Sequence, residues 1–160
     1  MNQTSVLFLC LGNICRSPLA EGVFRAEVTR RGLAGEVRVD SAGTGAWHVG
    51  EPPDPRSVAV ARDNGVDISQ QSARRLVVED FERFDWIVAM DGDNLRTARE
   101  RQPKGAHARL VPFMDYVPNA PGRDVPDPYY GGQQGFAHVY ALLAAGAGPL
   151  LDAVIAARGA

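Results

Sequence analysis

The feature that most narrows the fold is a junction close to the N-terminus. Residues 5–9 (SVLFL) form an unbroken apolar run, and Pro18 opens a stretch with helical spacing. An apolar run this short reads as a strand buried on both faces, because a strand with one wet face would alternate. From 18 to about 31, Leu19, Val23, Phe24 and Val28 share one helical face. Ser17 stands where a cap belongs, Pro18 suits the first turn, and Gly32 ends the helix. A buried strand that passes directly into a helix is the opening unit of a parallel sheet, whose neighbouring strands must be joined by crossovers.

The rest of the chain repeats the alternation. Residues 37–42 read as a second strand, and Asp54 caps a helix that runs from Pro55 to about 64–65. Residues 78–84 predict a short helix, 86–89 (WIVA) a third strand with Trp86 in the core, 91–101 a polar helix, and 108–111 a fourth strand. The last helix begins near Gly135. These elements predict an α/β fold: a single-domain, doubly wound, four-stranded parallel sheet with helices on both faces, one domain over 1–160. Residues 112–132 hold five prolines and no apolar period, so they read as a long loop, and such loops in compact domains are usually functional.

Composition excludes several partners. A formal net charge of −2 predicts no affinity for nucleic acid or for acidic membrane surfaces, so any anion site must be built locally. The apolar 137–157 segment is interrupted by Gly146, Gly148 and Pro149, which predicts a packed amphipathic helix with a kink or break. The 5–9 run is far below the ~20 apolar residues of a membrane helix. A soluble cytoplasmic protein, without membrane attachment, is expected. The two cysteines, Cys10 and Cys15, cannot tie distant segments together, and with three histidines they make a poor zinc site. No metal and no organic cofactor is implied.

In doubly wound folds, sites lie at the carboxyl ends of strands, and Cys10 stands at the end of the first. The loop Cys10-Leu11-Gly12-Asn13-Ile14-Cys15-Arg16-Ser17 can turn its backbone N–H groups inward as an anion nest at a helix N-terminus. Gly12 and Asn13 tolerate the left-handed backbone such a curl requires. Arg16 supplies a charged planar fork matching two phosphate oxygens. The same surroundings favour the Cys10 thiolate, which beneath a bound phosphate is an in-line nucleophile; the product would be a phosphocysteine. The Ser17 hydroxyl is placed to hydrogen-bond that thiolate. A leaving oxygen also needs a proton, for which the proline-rich segment offers Asp124 and Asp127.

The segment CLGNICRSPLAE resembles the signature of the low-molecular-weight protein tyrosine phosphatases. The resemblance continues through Ser41-Ala42-Gly43-Thr44, Trp47, Val88-Ala89-Met90-Asp91 and Asp127-Pro128-Tyr129-Tyr130-Gly131, and so covers nearly the whole chain. It implies hydrolysis of phosphotyrosine and other aryl phosphates, with Cys10, Arg16 and Asp127 as the catalytic set and Leu11 to Ser17 around the phosphate. It selects Asp127 over Asp124 as general acid and later base. It places Trp47, Tyr129 and Tyr130 along the substrate cleft, and pairs Asn13 with Ser41 in support of the loop. It implies that Cys15 can form a reversible disulfide with Cys10 under peroxide. His48 reads as a pocket-rim residue. The partner implied is a phosphotyrosine-containing protein, and the expected assembly a monomer or weak dimer. Many relatives carry a histidine shortly before the pair that here is Ala73-Arg74. This chain has Gln70, Gln71 and Ser72 there, which predicts altered loop support with activity retained.

Rival readings are an arsenate reductase, a phosphoarginine phosphatase, and a non-catalytic phosphate-binding regulatory module. Arsenate reductases of this kind use further cysteines outside the loop, and this chain has none. Phosphoarginine-specific relatives carry threonine where this chain has Ile14. A non-catalytic module should have lost the nucleophile, the arginine or the acid.

Overall fold

The computed structural model describes residues 3–120 and 123–158. In chain order the elements are β1 (Thr4–Cys10), α1 (Arg16–Arg30), β2 (Val37–Gly43), α2 (Pro55–Asp63), α3 (Asp80–Arg83), β3 (Trp86–Ala89), α4 (Gly92–Arg101), β4 (Arg109–Pro112) and α5 (Gln133–Arg158). The four strands form one all-parallel sheet in the order β2-β1-β3-β4. The apolar run therefore becomes a central strand, paired on both edges, and every residue of β1 is buried.

Alternation along β1 splits the core in two. Val6, Phe8 and Cys10 face α1, α2 and α5, while Leu7 and Leu9 face α3 and α4 with Phe81, Phe84 and Ala98. This is the two-faced burial expected of a doubly wound sheet. Phe8 is fully enclosed, edge-on to Phe24 of α1 at 5.3 Å between ring centroids. Burying a side chain of that size contributes about 2–3 kcal/mol.

Several expectations shift. The helix α1 begins at Arg16, and Ser17 does not cap it; Cys15 occupies the N-cap with no side-chain bond, while the Ser17 hydroxyl turns back toward Cys10. The short helix predicted over 78–84 shrinks to the four residues of α3, closed by Phe84 in extended conformation. Residues 112–132 are not wholly irregular, since a 3-10 turn, Phe113–Tyr116, buries Phe113 and Met114. Of the kink or break predicted for the last helix, the break is absent. Residues Gly146 to Pro149 lie inside an unbroken α5. Phe136, Val139 and Leu143 before Pro149, and Leu150, Leu151 and Val154 after it, are all buried in the same core, so packing outweighs the hydrogen bond that proline removes. At 26 residues α5 has the length and apolar character of a membrane span; one face of it joins this core, and 39% of its most apolar 18 residues are buried.

Candidate active site

β1 ends at Cys10, opposite Gly43 of β2, and the chain curls through 11–15 into α1. The curl is held from outside by its carbonyls. Cys10 O accepts from Thr44 N–H at 2.9 Å, Leu11 O from Gly45 N–H at 2.9 Å, Ile14 O from Asp54 N–H at 2.8 Å, and Cys15 O from Ser57 Oγ at 3.1 Å. With the carbonyls turned out, the amides turn in. Asn13 N–H and Ser17 N–H point at Cys10 Sγ at 3.3 and 3.4 Å, and Ser17 Oγ lies 3.0 Å from the same sulfur. Among the described residues, the N–H groups of Gly12, Ile14 and Cys15 find no acceptor in the protein. A ring of inward amides at a helix N-terminus is an anion receptor.

The left-handed residue of this curl is Asn13, with φ 58°; Gly12 does not take that conformation, contrary to the expectation for both. At Gly12 the close approach is to a side chain: a Cβ there would lie 3.0 Å from His48 Cδ2, at the rim. A second close approach comes from β2. A Cβ on Gly43 would meet Leu11 O at 2.9 Å, Gly12 C at 3.1 Å and Asn13 N at 3.2 Å, all backbone atoms of the loop.

Asn13 is the tie-point of the loop. Its Nδ2 donates to Ser17 Oγ at 2.8 Å and Ser41 Oγ at 3.0 Å, and its Oδ1 accepts Arg74 N–H at 3.0 Å. The expected Asn13–Ser41 contact is therefore made, and it extends to Glu21, whose Oε1 accepts from Ser41 Oγ at 2.7 Å. Burial pushes the Glu21 carboxyl up, against the pull of Ser41 and Arg25. In the region where a histidine was missing, Gln71 Nε2 donates to Pro18 O at 3.0 Å, in the first turn of α1.

Arg16 is buried to 3% exposure. Its Nη1 donates to Asp91 Oδ2 at 2.7 Å and to Val125 O at 3.0 Å, and its Nη2 lies 3.7 Å from Asp127 Oδ2. Burial opposes its charge, but Cys10 and the bond to Asp91 outweigh burial and hold the guanidinium more firmly protonated than usual. Asp127 is half exposed; its Oδ1 accepts Tyr129 N–H at 3.1 Å and its Oδ2 is the oxygen that faces Arg16. Asp124 sits elsewhere, accepting Gly92 N–H at 3.0 Å at the start of α4.

A cleft of about 320 Å³ opens over the loop. Cys10, Cys15 and Arg16 form its floor with Leu11, Gly12 and Ile14, while Trp47, His48, Asp127, Tyr129 and Tyr130 stand along its walls. Asn13 and Ser17, counted with the phosphate contacts from sequence, lie behind the floor and not in the cleft. Trp47 is 70% exposed and Tyr130 95%, so neither covers the core; Tyr129 packs edge-on to Tyr130 at 5.0 Å. Cys15 is unlinked, and burial first, then the charges of Asp54, Cys10 and Asp127, push its thiol up to about 12. His48 sits at the rim with Glu51 at 3.2 Å.

Several contributors are not singled out from sequence. Asp91 and Glu21 lie inside quoted motifs but carried no role; Asp91, at the end of β3, stood where a site residue of this fold is expected. The Val125 carbonyl and the Arg74 amide are backbone groups, for which a sequence holds no signal.

Comparison with known proteins points to one family, and the similar solved structures include a Drosophila arginine phosphatase at 30% identity with a TM-score of 0.86, covering 92% of this chain and 96% of that one. Residues 5–158 match the model of a family described as low molecular weight phosphotyrosine protein phosphatase. The chain is 49% identical over 136 residues to the low molecular weight phosphotyrosine protein phosphatase of Schizosaccharomyces pombe, covering 84% of this chain and 86% of that one. It is 40% identical over 150 residues to the low molecular weight protein-tyrosine-phosphatase YfkJ of Bacillus subtilis, covering 94% and 95%. A crystal structure of a protein tyrosine phosphatase from Entamoeba histolytica superposes with a TM-score of 0.93 at 35% identity, covering 98% of this chain and 99% of that one.

Proposed function

The chain belongs to the low molecular weight phosphotyrosine protein phosphatase family, and from that premise we propose that it hydrolyses phosphotyrosine in proteins through a phosphocysteine on Cys10. The observation that carries the reading is the convergence of Asn13 N–H, Ser17 N–H and Ser17 Oγ on Cys10 Sγ, beneath a cleft that also holds Arg16 and Asp127. Two N–H donors and the Ser17 hydroxyl thus surround one sulfur that faces the cleft, where it is placed to attack a bound phosphate.

The steps follow from these positions. The inward amides of the loop and Arg16 hold the three non-bridging phosphate oxygens. The Cys10 thiolate attacks phosphorus; the S–P bond forms as the bond from phosphorus to the tyrosine oxygen breaks. The Asp127 carboxyl gives its proton to that departing oxygen, so tyrosine leaves neutral. The same carboxylate then takes a proton from water, whose oxygen attacks phosphorus. The P–S bond breaks, inorganic phosphate departs, and Ser17 Oγ–H stabilises the returning thiolate.

Ile14, Leu11, Trp47 and Tyr129 line the cleft with apolar and aromatic surface against which a flat phenyl ring can pack. The test compares wild type, Cys10→Ser and Asp127→Asn on an aryl phosphate at mildly acidic pH without metal. Cys10→Ser should be inactive, and Asp127→Asn should fall by roughly 10²–10⁴. Activity in Cys10→Ser, or a preference for phosphoarginine over phosphotyrosine, refutes the proposal.

A further inference from the structure

Asp127 can serve as an acid only if its segment is held at a fixed height above the loop. Upstream, the segment is well tied: Val125 N–H donates to Met90 O at 2.8 Å and Val125 O accepts from Arg16. Downstream, among the described residues, one side chain alone hydrogen-bonds residues 128–132 to the rest of the fold. It is Arg56, in the first turn of α2, which donates from Nη2 to Tyr129 O at 2.9 Å and from Nη1 to Gly131 O at 3.0 Å. The same guanidinium lies over the Tyr129 ring at 5.8 Å and the Phe136 ring at 4.5 Å.

Its other edge is fixed in turn. Arg56 Nε and Nη2 each donate to one oxygen of the buried Asp54 carboxylate at 3.0 Å. Asp54 N–H donates to Ile14 O, and Ser57 Oγ to Cys15 O, so the start of α2 also grips the floor of the cleft. One planar fork thus joins the loop that carries the nucleophile to the segment that carries the acid, and its two edges are both used.

The geometry points to Arg56 as a positioning residue that sets Asp127 at the height where its proton meets the departing oxygen. It lies outside the lining of the cleft and acts through the carbonyls of residues 129 and 131. The inference rests on Asp127 being the acid. A lysine would keep a cation beside Asp54 but cannot match two carbonyls and two carboxylate oxygens from one point.

The test measures kcat/KM over aryl phosphates whose leaving groups range from a dinitrophenol, which departs without a proton, to an alkylphenol like tyrosine, which does not. Arg56→Lys and Arg56→Gln should lose about 3- to 30-fold with alkylphenol leaving groups and less than about 2-fold with the dinitrophenol, since small misplacements of an acid cost only where the acid is needed. Asp127→Asn should show the same slope more steeply, and Arg56→Lys should add little to it in the double variant. A leaving-group-dependent loss in Asp127→Asn with a uniform loss, or none, in Arg56→Lys overturns the inference alone. No such dependence in Asp127→Asn overturns the acid assignment and this inference with it. Circular dichroism confirms the fold of each variant; if Arg56→Gln does not fold, Arg56→Lys decides the question.

Discussion

Adding one methyl group to Gly43 should damage the active site without touching any side chain of it. A Cβ at that position would sit 2.9 Å from Leu11 O, 3.1 Å from Gly12 C and 3.2 Å from Asn13 N, where ordinary contacts begin at 3.4 Å. These are backbone atoms of a loop whose carbonyls are already committed, so no rotamer change relieves them. The loop must retreat by 0.2–0.5 Å, the differences between those distances and 3.4 Å. Overpacking of this kind costs about 1–3 kcal/mol, or roughly 2–12 °C in Tm for a chain of this size. The same retreat moves the inward amides off the phosphate oxygens. Since a 1 Å misplacement can cost about 10²-fold, a few tenths should lower kcat/KM about 3- to 10-fold. Gly35→Ala is the control, because it lies in open space without a left-handed backbone. It should leave activity unchanged and stability unchanged or slightly raised. Differential scanning fluorimetry and aryl phosphate turnover report both quantities. A Gly43→Ala protein with wild-type Tm and kcat/KM would show that the loop is soft at this contact, and the reasoning would fail.

Two further outcomes follow from titration. Glu27 is drawn from 4.5 to about 2 by its bond to Arg30, against burial, with Arg31 adding to the pull. Its folded value lies below its unfolded one, so its contribution is present above pH 4.5 and fades as pH falls toward 2. Glu27→Gln should cost about 1 kcal/mol in urea unfolding at neutral pH and nothing at the acid end; an equal cost at both refutes the pairing. Cys15, pushed up to about 12, should resist alkylation at neutral pH. Native Cys10→Ser treated with iodoacetamide should gain no mass, and rapid labelling of that variant would show the thiol to be accessible and ionisable.

Most of the fold was legible because it rests on local patterns. An unbroken apolar run suits a central strand, and Asp54 before Pro55 suits a helix start; its side chain accepts Arg56 N–H at 2.8 Å as a cap should. Boundaries failed where tertiary contacts outvoted local signals. Ser17 had a cap's chemistry, but Asn13 and Cys10 claimed its hydroxyl. Gly146 and Pro149 had a breaker's chemistry, but Phe113 fits against the bare Gly146, where a Cβ would come within 2.6 Å of its ring. In the cleft, Cys10, Arg16 and Asp127 are the residues that type and resemblance single out, and the fold brings the three together. Arg56, Asp91 and Gly43 were not, because their value lies in what they face across dozens of residues.

In the proposed mechanism Arg16 meets its phosphate already immobilised. Its side chain gave up its rotamers during folding, when it settled onto Asp91 and the Val125 carbonyl under 3% exposure. An arginine ordered only by its ligand would charge up to about 2 kcal/mol of side-chain entropy against every binding event. Here that charge falls on the stability of the empty protein. The receptor consequently cannot tell substrate from product by how much it must rearrange, and free tetrahedral oxyanions of phosphate size should occupy the cleft and slow turnover as they accumulate.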